Sequence, residues 1–261
     1  MHGNINDKNV GSYRMNIKSK QTAWWGFAVF AFLIFVLLQV PASWLMAKFY
    51  KNNQMLKNVS GNVWKGQADW QKGNLRGIVL WKTRPLDLIL LRLGADIELH
   101  SGETQMQGVV GYGLGKTITI KNMTGQLAAE TLKNIAQWQW PSNNIQLKDV
   151  QFKFQPEKGF SNVIGQMQWG GGALIYTFAQ RQDRMDIPSL LGHMKDENGQ
   201  LQLDIQDQRN QKIANLSLDQ SLMLDVQLTQ RLLQNSSSYT GKAGLDTYVI
   251  SSRQPLLSGA F

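Results

Sequence analysis

The chain has 261 residues, 43% of them hydrophobic, with a mean hydropathy of -0.28, a balance that provides a folded body with one large core or two small ones. It contains no cysteine, which excludes disulfides, thiolate nucleophiles and cysteine-based zinc or iron–sulfur sites. The net charge of +9 is spread among acidic residues without a basic block, so it points to no nucleic-acid partner, although a basic face suits anionic lipid.

Residues 1–21 form a short tail with Lys8, Arg14, Lys18 and Lys20 against a single Asp7. The run Thr22–Val40, TAWWGFAVFAFLIFVLLQV, carries no charge and is long enough for a membrane-spanning helix. Its eleven Leu, Ile, Val and Phe residues contribute roughly -3 to -7 kcal/mol to insertion. Trp24, Trp25 and Trp44 mark the two interfaces, with Phe30, Phe35 and Leu38 in the apolar stretch. Residues 22–46 are therefore expected to be a single-pass signal-anchor, N-terminus inside, with the bulk of the chain exported. A cleaved signal peptide is the rival reading, since Val40-Pro41-Ala42 resembles a cleavage site. The apolar run exceeds the ~7–15 residues of a signal core, which favours retention.

Residues 47–58 read as a polar connector, and 59–261 as a mainly β domain. Period-two alternation recurs from Ile97-Glu98-Leu99 through Leu222-Met223-Leu224-Asp225-Val226-Gln227-Leu228, separated by turn chemistry such as Asn198-Gly199. This predicts a curved, largely antiparallel sheet. Only two short stretches, around Gly125–Ala136 and Gln230–Gln234, look helical. Val59-Ser60-Gly61 and Pro85-Leu86 are echoed by Val163-Ile164-Gly165 and Pro188-Ser189-Leu190, which leaves two readings open: similar β-units over 59–140 and 145–234, or one long sheet. Beyond Asn235 a Ser-rich loop precedes a strand through Thr247–Ile250.

Catalytic chemistry is thinly represented. The stretch GYGLGKT, Gly111–Thr117, imitates part of a phosphate loop, but residue 110 is valine and an alternating run follows where a helix is required. A glycine-rich bend between strands is the better reading. His2, His100 and His193 stand singly, without metal-ligand spacing. Asp183, Asp186, Asp196 and Glu197 flank turns, where carboxylates face solvent. No catalytic residue, cofactor site or metal site is assigned, and no enzymatic activity is expected. Among the nine tryptophans, Trp64, Trp70, Trp81 and Trp169 suit a core, whereas Trp138 and Trp140, two apart before Pro141, suit an exposed partner contact.

One region goes beyond pattern. VSGNVWKGQADW (Val59–Trp70) followed by LRGIVLWKTRPLDLIL (Leu75–Leu90), after an anchor ending in Val40-Pro41-Ala42, resembles the N protein family of the bacterial type II secretion system. Gly61, Trp64, Gly66, Trp81, Pro85 and Leu86 stand at that family's Gly-x-x-Trp-x-Gly, Trp and Pro-Leu positions, and Trp169 at a second Trp-Gly element. The resemblance implies a bitopic inner-membrane protein of a Gram-negative bacterium, with a periplasmic β-domain that assists export of folded proteins across the outer membrane. It implies no catalytic residues. Its partners would be other inner-membrane components, above all the C component, and the outer-membrane secretin, together with membrane lipid. A second expectation, drawn from the alternating runs alone, is a tethered β-groove that binds or shuttles lipid, lined by Leu222, Leu224, Val226 and Leu228.

Overall fold

A computed structural model describes residues 17–49, 55–135, 143–178, 181–236 and 239–256. The chain divides into two units at Val40/Pro41. In the first, α1 (Ile17–Gln39) is the element formed by the uncharged run. Trp24 and Trp25 are each 73% exposed, and the apolar side chains described from Phe27 to Val36 are exposed as well. Among the described residues no helix is long and apolar enough to cross a membrane, so the span expected over 22–46 is not shown. The helix also stops earlier than expected: Pro41 cannot continue it, and α2 (Ala42–Phe49) starts afresh, with the Lys48 ammonium 5.0 Å above the Trp44 ring.

The second unit is β-rich. Its strands are β1 (Leu56–Gly61), β2 (Lys65–Lys72), β3 (Leu75–Thr83), β4 (Arg92–Ser101), β5 (Thr104–Gly113), β6 (Thr117–Leu127), β7 (Ile145–Gln155), β8 (Gly159–Trp169), β9 (Gly172–Phe178), β10 (Arg181–Ile187), β11 (Leu190–Glu197), β12 (Gln200–Asp207), β13 (Lys212–Leu218), β14 (Met223–Thr229) and β15 (Tyr248–Pro255). Thirteen of them form one open sheet in chain order, every neighbour antiparallel, while β9 and β10 leave it as a separate hairpin between β8 and β11. The sheet runs on between the segments considered as separate halves, because β6 and β7 are paired from Ile118↔Phe154 to Leu127↔Ile145. Strand formation starts at Leu56, inside the expected connector.

Register explains the alternation. Residues paired across strands share a face, and one row runs Ala68, Val79, Leu99, Met106, Gly125, Leu147, Met167, Gly192, Ile205, Ala214, Leu228, Ile250 from β2 to β15. No polar side chain interrupts it. On the opposite face, Lys148, Gln166, His193, Asp204, Asn215, Gln227 and Ser251 form another row. Over β7–β13 the apolar face is covered by α4 (Ala129–Ile135), α5 (Gln230–Leu233) and β10, whose Leu132, Leu232, Met185 and Ile187 pack with Ile145, Trp169, Leu203, Ile205 and Ile213. Two short helices were legible in the sequence; a third, α3 (Pro85–Ile89), was not.

Candidate functional site

The residues picked out by the resemblance converge on the β1–β3 end of the sheet. Gly61 has φ +87, and a Cβ there would meet the Lys65 carbonyl at 2.5 Å and the Gly66 Cα at 2.7 Å, so the tight β1–β2 connection requires glycine. Asn62 organises this turn: its Oδ1 accepts the Trp64 and Lys65 amides at 3.0 and 2.8 Å, and its carbonyl accepts the Trp81 indole N–H at 3.3 Å. Gly66 pairs with Trp81 across β2–β3, and the indole lies where a Gly66 side chain would stand. Four residues along, Trp70 covers Gly77 in the same way. Each tryptophan thus occupies the space left by the glycine opposite, a cross-strand packing pair. Trp64, Trp70 and Trp81 are half-buried rather than core residues, while Trp169 is 2% exposed within the main cluster. The Gly–Trp spacing therefore serves local architecture.

Pro85 occupies the first turn of α3, where its fixed φ is favourable and its missing N–H costs nothing. Leu86 follows at 75% exposure. The decisive residue is Asp87, which the sequence reading passed over. Its Oδ1 accepts Arg92 Nε at 3.0 Å and Nη2 at 2.6 Å, and its carboxyl lies over Gly94, where no side chain fits. The Arg84 amide also donates to the Gly94 carbonyl at 2.7 Å. A proline opening a short segment, with an acid two residues later, is the helix-start signal that marks this element.

This clamp fixes a cluster of exposed apolar residues on α3 and the neighbouring strand tips. Ile89 and Leu114 are 76% and 73% exposed, and Leu90, Leu91 and Leu93 are also open to solvent. Leu93 pairs with Tyr112, and Tyr112 with Ile118, joining β4, β5 and β6 in one apolar strip. Contiguous exposure of this kind on a folded protein marks an interaction surface.

The remaining sequence candidates do not form a chemical centre. Gly111–Gly113 end β5, Leu114–Lys116 form a single 3-10 turn, and Thr117 starts β6, so GYGLGKT is a strand-to-strand bend and the Thr117 hydroxyl donates to the Leu114 carbonyl at 2.8 Å. His100 is exposed, with Nε2 3.9 Å from Glu98, and His193 is exposed on the polar face. Asp186 pairs with Arg184 at 3.0 Å. Asp196 is exposed near the end of β11, beside the Asn198-Gly199 turn, and its Oδ1 also accepts the Val163 amide at 2.7 Å. Among the described residues no group of three or more His, Cys, Asp or Glu is arranged for a metal. A cleft of about 770 Å3 beside α4, lined by Arg76, Glu103, Glu130 and Lys133 among others, has mixed charge. Trp138 and Trp140 lie outside the described residues. Of the proposed groove residues, Leu224, Val226 and Leu228 share the apolar face, whereas Leu222 sits in the β13–β14 turn with φ 57.

Two carboxylates are shifted by their surroundings. Burial pushes Asp204 up, but hydrogen bonds from Lys195 and Asn215 outweigh it and leave the carboxyl below its ordinary value. Burial raises Asp219 as well, and the Met223 and Ser221 amides with Arg253 more than reverse it. Both carboxylates tie neighbouring strands together through these bonds.

Comparison with known proteins gives one match: a family model described as type II secretion system (T2SS), protein N, covers residues 52–235. That segment takes in the Gly–Trp turn, the α3 clamp and the sheet as far as β14. No curated protein and no solved structure matches.

Proposed function

The chain belongs to the type II secretion system protein N family, and on that footing we propose that it is a non-enzymatic accessory or scaffold component of the type II secretion machinery. In this reading the Thr22–Val40 run tethers it to the bacterial inner membrane, the N-terminus is cytoplasmic, and the sheet is periplasmic. The observation that carries the role is the family match across most of the sheet. Support for the tether comes from the run itself, which is uncharged and carries eleven Leu, Ile, Val and Phe residues. Its described apolar side chains are exposed on every side, as a lipid-facing helix requires.

A scaffold needs contact surfaces rather than a pocket, and the open sheet has two edges. Among the described residues β15 is paired on one side only, by β14, which leaves its outer backbone groups for strand addition by another subunit. The C component of the inner membrane and the outer-membrane secretin are the proposed partners. Photo-crosslinking in cells from Ile250 on β15, with identification of the captured protein, tests this directly. Recovery of a secretion component that is lost when secretion genes are deleted supports the scaffold; capture of none from either edge refutes it.

A second reading has its own observation. On the apolar face of β3–β5, beyond the point where Thr104 donates to the Thr131 hydroxyl of α4, Val79, Leu99 and Met106 are only half-buried, in contrast to the covered β7–β13 region. That face suits acyl chains, as in a lipid-binding groove. A photo-crosslinker at Met106 recovering phospholipid, with its neighbour Gln107 on the opposite face recovering none, favours this reading; equal labelling at the two positions removes it.

A further inference from the structure

The apolar end formed by α3 and the tips of β4–β6 has a definite position relative to the point where the chain enters the sheet. Pro41 bridges Asn62 in the β1–β2 turn. Beside that turn, the Thr83 amide donates to the Trp64 carbonyl and its hydroxyl to the Val63 carbonyl, both at 2.7 Å. Arg84 and α3 follow Thr83 without a break. Pro41 is also covalently joined to Val40, the last residue of the uncharged run. The residue that follows the run is therefore held at the strand tip from which α3 springs. At ~4.8 Å between strands, the tips of β3 to β6 extend only about 15 Å further along the sheet.

The surface at this end has the composition of a lipid contact. Leu86, Ile89, Leu90, Leu91, Leu93 and Leu114 are all exposed. Of the cations Arg84, Arg92 and Lys116 that lie among them, two are paired with acids, Arg92 with Asp87 and Arg84 with Asp96. Lys116 joins no ion pair among the described residues. Apolar residues beside one uncompensated cation match an interfacial site on a bilayer with anionic lipid, where the apolar side chains enter the acyl boundary and Lys116 meets a headgroup phosphate.

We propose that the α3 end is a second membrane contact, inserted shallowly into the leaflet that the chain leaves at Pro41, so that the sheet stands on the bilayer instead of swinging from a tether. The proposal rests on the anchoring reading given above, and the test separates the two. The chain is free of cysteine, so single cysteines at Ile89, Leu114, Ile164 and Leu33 in the full-length protein accept an environment-sensitive fluorophore. Ile164, 55% exposed on β8, serves as the remote control.

In vesicles of phosphatidylethanolamine and phosphatidylglycerol, labels at 89 and 114 shift to the blue. Spin-labelled lipids quench them, shallow labels more strongly than deep ones, as a penetration of about 5–10 Å dictates. The label at 164 does neither. If positions 89 and 114 behave like 164, the proposal is overturned. Position 33 reports separately: quenched by deep labels, it leaves the anchor standing; unquenched, it removes the anchor too. Labels at 89 and 114 that stay unquenched in vesicles but are shielded in cells assign this end to a protein partner, which also overturns the proposal.

Discussion

Replacing Gly94 with alanine tests whether Asp87 is what holds α3 in place. A Cβ built at Gly94 falls on the Asp87 carboxyl, and the three nearest atoms are all in that one side chain. The alanine must displace the carboxyl from Arg92, breaking an ion pair of 2.6 Å whose acidic partner is mostly buried. Overpacking at such a site costs ~1–3 kcal/mol. The lost charge-assisted contact falls within the same displacement, so Gly94→Ala is expected to cost about 2 kcal/mol. Asp87→Ala alone removes the pair and frees Arg92 to reach water, costing ~1–2 kcal/mol. With Asp87 truncated the obstacle is gone, and Gly94→Ala then changes stability by about 0.5 kcal/mol or less, since alanine also suits a strand better than glycine. The double-mutant cycle should therefore show a coupling of about 1.5–2 kcal/mol, well above the ~0.3–0.5 kcal/mol expected for independent sites. Urea unfolding of the full chain in detergent, followed by tryptophan fluorescence, measures it. Equal costs for Gly94→Ala in both backgrounds would refute the clamp.

Gly61→Ala should destabilise by more than about 1 kcal/mol, because positive φ adds to backbone collision; Gly73→Ala, with φ +59 but open space around it, keeps only the conformational part, and parallel melts compare the two. Trp169 is buried with its indole N–H unpartnered, so Trp169→Phe, which removes the unmet donor, should cost under ~1.5 kcal/mol while Trp169→Ala costs ~3–5 kcal/mol. Asp219 has its carboxyl held below the ordinary 3.8, so its contribution is present above about pH 4 and fades as pH falls toward the lower folded value. Asp219→Asn should therefore flatten the acid limb of a stability–pH curve, and an unchanged limb counts against the Ser221, Met223 and Arg253 contacts. Lys195 has the opposite sign: its hydrogen bond to Asp204, more than any other cause, raises it above 10.5, so its contribution holds below that value and is lost as pH rises through the folded value, which Lys195→Met should show as a shallower alkaline limb.

The β character was legible because alternation is a local property: Leu201-Gln202-Leu203-Asp204-Ile205 became β12, and Leu222–Leu228 became most of β14 with its turn. The choice between one long sheet and two β-units was not legible, because alternation fixes which face a residue takes and says nothing about which strand comes next. The departure of β9–β10 and the direct β8–β11 pairing were invisible for that reason. The family-like glycines could be named from sequence, but their purpose lay in cross-strand partners, Gly66 under Trp81 and Gly61 against Lys65. Asp87 was missed because its partner Gly94 carries no side chain, so nothing in composition or spacing paired an acid with it. The apolar end was hidden too: Leu88–Leu91 reads as a buried strand on hydrophobicity alone, whereas Pro85 and the Asp87–Arg92 pair turn it outward.

A sheet entered at one edge and open at the other divides its tasks by distance. Pro41 joins the sheet at the β1–β2 turn, and β15 lies twelve strand steps away from β1, about 60 Å measured along the sheet at ~4.8 Å per step. Under the proposed anchoring, a tether at this edge raises the concentration of the sheet near other membrane-held subunits and restrains the far edge, β15, least. The second membrane contact proposed at the α3 end would limit that freedom and set the direction in which β15 points. Crosslinking from Ile250 should then select one partner while the α3 end is intact. It should spread over several neighbours when Ile89 and Leu114 are both changed to serine, a pair of exposed substitutions that leaves the Asp87 clamp untouched. An unchanged crosslinking pattern would mean that orientation is set at β15 itself, by the partner strand, and that the apolar end has no share in it.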